Sequence, residues 1–424
     1  MRSGAHASVA RARTTSPGYG TRPAWRIASL QGLILVLFLS YIIGNIFYVF
    51  PSGNPQPSDF IMTIVMGSVV TGLAFKIRES QRLVVLLALL LFWIWQINLV
   101  HYMFHSDSHF LWTNAYFLYN MGVFLAVSTL FQYFGATFIH SVRITLLVAL
   151  IVEVTAVIVV SHYLAPSEPG LYRSIGTYQD PNQLAYWAIL AFCSLLVLKP
   201  QKRLGGVELA GLAATIYIVV SSLSRSGTLA LAIVLLVMLP GLRVKATWIA
   251  LLACAAALAI VLWWSHMREV GAYLEQGAPA QILSRFDESD RDDNLAGRGY
   301  ERLWRFPEHL ILGAGEGAYW RFRGGVAYEQ TEFHSSFGSI LFSYGIVGLG
   351  LFGCFLWEVF RRAPLQHIAY LLGPLVWGLF NYGFRFSMFW VFLAIVYGMS
   401  TLRARSSGDD GPVATSQDRG SARP

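Results

Sequence analysis

The feature that most constrains this chain is a recurrence of apolar runs, each close to the length needed to cross a bilayer, separated by short polar breaks. They lie at about 27–50, 60–75, 83–101, 114–134, 144–164, 183–198, 204–223, 228–242, 246–264, 336–360, 366–381 and 388–402. A spanning helix needs ~20 predominantly apolar residues, which leaves 60–75 and 228–242 short. Composition agrees: of 424 residues 55% are hydrophobic and 13% charged, about half the charged share of a soluble protein. The expectation is an all-α polytopic integral membrane protein with about 12 transmembrane helices. The run 27–50 is too long for a signal-peptide core and lacks a small-residue cleavage site, so it should remain as the first span. Cys193, Cys254 and Cys354 all fall in apolar runs and read as small buried hydrophobes rather than a disulfide framework.

Charge placement fixes the sidedness. A net charge of +8 raises the question of nucleic acid, but the basic residues fall where the positive-inside rule wants them. With a cytoplasmic N-terminus, "KIRESQR" (76–82), Arg143, "KPQKR" (199–203), "RVK" (243–245), Arg361–Arg362 and "RAR" (403–405) all lie inside, with all four lysines. Loops 51–59 and 101–113 hold no Lys or Arg, and 165–182 holds only Arg173. Both termini are thus expected in the cytoplasm and no nucleic-acid partner is expected.

The organisation follows: a disordered tail (1–25), nine spans (26–264), a large extracytoplasmic loop with short helices (265–334), three further spans (335–403) and a second disordered tail (404–424). The loop carries twelve acidic residues and eight arginines, and long loops escape the charge rule. Such insertions in a compact bundle are usually functional. Within it "LWRFPEHLILGAGEG" predicts a short surface helix closed by glycines, offering Trp304, Phe306, Leu310 and Ile311 to the interface.

Four polar features fall on the outward side. In "SLSRSGTLAL" (222–231), Arg225 stands at a tight turn before a helix start where Ser226, Gly227 and Thr228 offer backbone N–H groups. It is either an arginine snorkelling to the interface or part of a phosphate site. In "TYQDPNQLAYW" (177–187), Asp180 and Pro181 read as N-cap and first helical residue, while Asn182 is available to a ligand. In "GRGYERLWRF" (297–306), Arg298, Arg302 and Arg305 are either a solvated face paired to acids or an anion clamp beside Arg225. His334 precedes a long apolar run. It is an interfacial residue or, kept neutral by the following helix N-terminus and oriented by Glu332, a general base. His101, His105 and His109 share a helical face with Asp107 between, yet no fourth ligand is evident and no metal site is expected. The acidic run 287–293 reads as solvated. Glu153, in mid-run, must be paired or protonated.

Together these stretches resemble the O-antigen ligase/polymerase family of bacterial envelope glycosyltransferases. The resemblance rests on "DPNQLA", "SRSG", and a large outward loop with "GRGYERLWRF" and "LGAGEGAYW", ending in "HSSFGSILFSYGIVGLGLF". One departure stands out: Ser335 follows the histidine where many members have asparagine. The resemblance implies a glycan donor on a polyprenyl pyrophosphate, a glycan or lipid acceptor, and the outer face of the bacterial cytoplasmic membrane. It implies no cofactor, nucleotide sugar or essential metal. By motif it makes Arg225, Arg298 and His334 catalytic, with Arg302 a rival to Arg298. Arg302, Arg305, Asn182, Asp180 and Glu332 are then substrate-binding candidates. With no acidic pair placed as nucleophile and acid, the chemistry expected is direct displacement with inversion. The alternative from another class is a lipid-linked glycan flippase or other multi-span transporter, which twelve spans and Glu153 would suit.

Overall fold

The computed structural model describes residues 24–51, 53–72, 80–163, 173–199, 204–238, 298–322 and 332–406. Among these there is helix and no strand. The helices are α1 (Ala24–Gly44), α2 (Pro57–Val70), α3 (Gln81–His105), α4 (His109–Phe134), α5 (Ala136–Tyr163), α6 (Pro181–Leu198), α7 (Gly206–Ser221) and α8 (Arg225–Met238). Two single turns follow, α9 (Arg302–Arg305) and α10 (His309–Leu312), then a 3₁₀ turn at Tyr319–Phe322. The last four are α11 (Ser336–Phe360), α12 (Leu365–Tyr370), α13 (Leu372–Phe380) and α14 (Ser387–Ser406).

Each apolar run within the described residues contains a helix, though the run 27–50 leaves it after Gly44; the run 246–264, the acidic stretch 287–293, most of both tails and part of the large loop lie outside them. Six helices (α3, α4, α5, α6, α11 and α14) are long and apolar enough to cross a membrane. The others are shorter, and the run 366–381 is divided into α12 and α13 at Leu371.

Two helices form the centre. Every residue from Leu184 to Leu198 on α6 is buried, as are Met388–Val396 on α14. A helix apolar on all sides belongs inside a bundle. Because lipid removes most of the hydrophobic drive between helices, close packing must hold them. On α14 Gly398 supplies it: a Cβ there would come 2.5 Å from the Phe131 ring of α4. Aromatic contacts between Phe124, Phe355 and Trp390 tie α4, α11 and α14 together. Of the cysteines, Cys193 is buried as expected, whereas Cys354 is exposed on α11.

The glycine segment departs from its expected surface position. Trp304 and Ile311 are exposed, but Gly313–Ala318 are buried against α11. That helix breaks at Gly345, whose φ of 68° is left-handed backbone that costs a side-chain-bearing residue about 1–2 kcal/mol. The break frees carbonyls that lipid cannot satisfy. Ala314 N–H donates to Phe342 O and Gly315 N–H to Ser343 O, both at 2.9 Å, and Trp93 Nε1 donates to Tyr344 O at 2.8 Å. A Cβ on Gly345 would also strike the Ile311 carbonyl. The loop is thus keyed into the kink, which sets the height of everything that follows it.

Candidate active site

His334 sits where the large loop meets α11. Its backbone N–H donates to Arg298 O at 3.2 Å, so the two residues share one strand-like contact. Ser335 then caps α11: its Oγ accepts from Gly338 N–H at 3.2 Å and lies 2.7 Å from Tyr300 Oη. A serine here is a good cap in its own right. His334 is an exposed residue that lines a cavity. Desolvation first, then the Arg298 charge, push its pKa below the ordinary histidine value, with Glu332 opposing. The shift favours the neutral ring.

The loop arginines separate cleanly. Arg298 donates to the Phe380 carbonyl and lies 5.7 Å over the Phe380 ring. Arg302 is 3% exposed, its guanidinium 5.9 Å from the rings of both Tyr319 and Phe322. Arg305 pairs with Glu301 across one helical turn at 3.6 Å, the solvated-face arrangement. The Arg298 carbonyl is the one that accepts the His334 N–H.

Arg225 begins α8. Contrary to the sequence reading, two of the three N–H groups credited to that turn are already used: Gly227 N–H donates to Ser224 Oγ (3.2 Å) and Thr228 N–H to Ser224 O (2.8 Å). Asn182 is the reason Ser224 can do this. Its Oδ1 accepts the Ser224 hydroxyl proton (2.8 Å) and Arg173 Nη2 (3.0 Å), leaving the Ser224 lone pairs for Gly227. Leu223, at φ 49°, is a non-glycine residue in left-handed backbone, strain of the kind that collects at functional turns. Asp180 caps α6 as expected, accepting Asn182 N–H at 2.6 Å.

Asn381, which the sequence reading missed, joins the pieces. Its Nδ2 donates to Ser226 Oγ at 2.8 Å, next to Arg225, and its carbonyl accepts Ser336 N–H at 3.0 Å, two residues from His334. Arg298 holds the preceding carbonyl. Arg225, Arg298 and His334 are thus gathered around residues 380–381.

Glu332 does not orient His334. It accepts Arg385 Nη1 at 2.8 Å and lies 3.4 Å from His109 Nε2. Burial alone would raise its pKa, but the His109 hydrogen bond and the Arg385 charge hold it at about 2. Arg385 also meets the buried Glu316 at 2.6 Å, and Glu316 accepts the hydroxyls of Tyr344 (2.8 Å) and Tyr382 (3.1 Å). The remaining histidines serve the loop: His101 Nε2 lies 3.3 Å from Gly313 O and its Nδ1 is 3.0 Å from Arg321 Nη1, which fits a neutral Nε2–H tautomer. Among the described residues no three His, Cys, Asp or Glu side chains are grouped to hold a metal. Beside His334, Glu332 and Arg385, the cavity has a volume of about 560 Å³ and is lined from α2, α4 and the start of α6.

Described residues that are helical without strand, with six apolar helices of crossing length, fit a multi-pass membrane protein. Residues 210–353 match the family model described as O-antigen ligase. The match spans the "SRSG" turn, the large loop and the first half of α11, and it supports the O-antigen ligase/polymerase family for this chain. The match supports a function in membrane glycan processing and polysaccharide biosynthesis. No curated protein matches the chain.

Proposed function

We propose that the protein is a glycosyltransferase that moves a glycan from a polyprenyl-pyrophosphate donor to an acceptor hydroxyl at the outer face of the bacterial cytoplasmic membrane. The observation that carries this reading is the backbone hydrogen bond from His334 N–H to Arg298 O, with Asn381 linking Ser226, next to Arg225, to Ser336 at the start of α11. The distribution of Lys and Arg supports the orientation.

Arg225 and Arg298 bind the pyrophosphate and stabilise the charge that grows on it as it leaves, which arginine does by bidentate, charge-assisted hydrogen bonds. The acceptor oxygen bonds to the anomeric carbon as the bond from that carbon to phosphate oxygen breaks. The electron pair leaves with pyrophosphate, and the acceptor proton passes to the His334 ring. Displacement is direct and inverts the anomeric centre; no metal ion takes part.

Arg225→Ala, Arg298→Ala and His334→Ala should each abolish transfer at normal protein levels. Full activity in any of the three removes that residue from the mechanism, and retention at the anomeric carbon excludes direct displacement. Deleting the gene and analysing surface glycans separates ligation, where the glycan is absent from its acceptor, from polymerisation, where single repeats remain attached.

A further inference from the structure

The cavity in front of His334 has a chemical character of its own. Its volume of about 560 Å³ falls within the ~300–1,000 Å³ of small-ligand sites. Flat aromatic surfaces (Tyr48, Trp112, Tyr116) share the wall with amides (Asn54, Gln183), a mixture suited to the apolar faces and hydroxyls of a pyranose. The charges on that wall are one-sided. Asp59, Asp180 and Glu332 contribute carboxylates, and Arg385 is the single Lys or Arg among the described lining residues. Both Arg385 Nη atoms are engaged by Glu332 and Glu316. Asp59 is fixed in place, accepting from Tyr119 Oη and Gln56 N–H, each at 2.7 Å. Arg225 and Arg298 are not among the described lining residues.

We propose that this cavity is the acceptor subsite and that it selects a neutral or amino-bearing sugar over an acidic one. The assignment to the acceptor rests on the glycosyltransferase reading, because a general base must touch the hydroxyl it deprotonates and His334 lines this cavity. A uronate or phosphorylated sugar there would face Asp59 and Asp180 while the wall's arginine is already committed to two carboxylates. Such like-charge contact is a device for rejecting wrong partners. The same wall repels the donor pyrophosphate and leaves it to Arg225 and Arg298.

The test uses the full chain in phosphatidylcholine nanodiscs, titrated with three trisaccharides and read by saturation-transfer NMR. The probes are N-acetylglucosamine trimer (neutral), glucosamine trimer (cationic) and galacturonate trimer (acidic). The neutral and cationic trimers should bind about tenfold or more tighter than the acidic one, and Asp59→Asn should shrink that gap. Asp180→Asn, which keeps an N-cap oxygen on α6, should shrink it too and guards against a folding artefact at Asp59. Equal binding of the acidic trimer, a gap unchanged in both variants, or binding by none of the three overturns the proposal. In a transfer assay, a bound trimer that raises the apparent KM for the acceptor supports the assignment; one that raises it for the donor overturns it. His334→Ala reads the underlying function separately. Lost transfer with trimer selectivity kept supports both readings, whereas retained transfer removes the base and with it the acceptor assignment.

Discussion

Glu153 offers the sharpest test of how this bundle handles a carboxyl group in an apolar helix. It is fully buried on α5, and the loop leading to α6 folds onto it. Thr177 N–H donates to Oε1 at 2.9 Å, and Thr177 Oγ1 lies 2.6 Å from Oε2 while also donating to the Ile46 carbonyl. One hydroxyl has one proton, so it cannot serve both acceptors. The count closes if Glu153 is the neutral acid: its proton goes to Thr177 Oγ1, whose own proton goes to Ile46. Gly176 permits the approach, since its φ is 54° and a Cβ would collide with Oε1. Glutamine keeps an acceptor for Thr177 N–H and a donor for Thr177 Oγ1 while adding one amide hydrogen, so Glu153→Gln should cost less than Glu153→Leu. Glu153→Leu fills the volume but leaves the buried Thr177 N–H without its acceptor, at a cost of about 1–3 kcal/mol. Thermal unfolding of the purified variants in one detergent ranks them. If Gln destabilises as much as Leu, the carboxyl is ionised and the proton count is wrong; if Leu matches the parent, the hydrogen bonds contribute nothing.

Three further outcomes follow from the site and its supports. Transfer should rise with pH as His334 loses its proton, with an acid limb below the ordinary histidine range; Glu332→Gln removes the larger of the two carboxylate effects, with Asp180, that favour imidazolium and should move that limb to lower pH, read from the pH–rate profile of kcat/KM. Arg385→Met leaves Glu316 buried without its cation, which typically costs about 3–5 kcal/mol; adding Glu316→Gln should restore a large part of the lost stability, and a double variant no better than the single one refutes the pairing as the cause. Gly345→Ala combines left-handed strain with a clash on the Ile311 carbonyl and should lower folded yield by fluorescence-detected gel filtration, whereas Gly350→Ala, which meets nothing within 4 Å, should leave it unchanged.

The helices were legible because bilayer thickness favours long apolar runs, and each such run within the described residues contains a helix. Their ends were legible where local chemistry decides them, as at Asp180–Pro181, which starts α6 as read. What escaped was whatever depends on partners far apart in sequence. Arg298 and Arg302 look alike in "GRGYERLW"; only the structure shows Arg302 buried against the rings of Tyr319 and Phe322, seventeen and twenty residues on. Glu332 was expected to serve His334 because it is near in sequence, yet Arg385, more than fifty residues away, claims it. The buried LGAGEG segment was read as surface because nothing local announces that α11 will break at Gly345 to receive it.

One signal at the sequence level nevertheless pointed at the site more widely than it was used. The positive-inside pattern leaves three arginines in short connections on the side it assigns outward: Arg173, Arg225 and Arg385. Each lies at the gathered end of the bundle: Arg173 on Asn182 and the Ser222 carbonyl, Arg225 at the head of α8, and Arg385 between two carboxylates at the cavity wall. The physical reason is selection against cost. An arginine on that side works against the topology signal, and here Arg173 is held by neutral oxygens and Arg385 by carboxylates at the gathered end. In a chain of this class, the exceptions to the charge rule are therefore better markers of the working end than the arginine-rich loop itself, where Arg305 follows the ordinary pattern of a solvated pair.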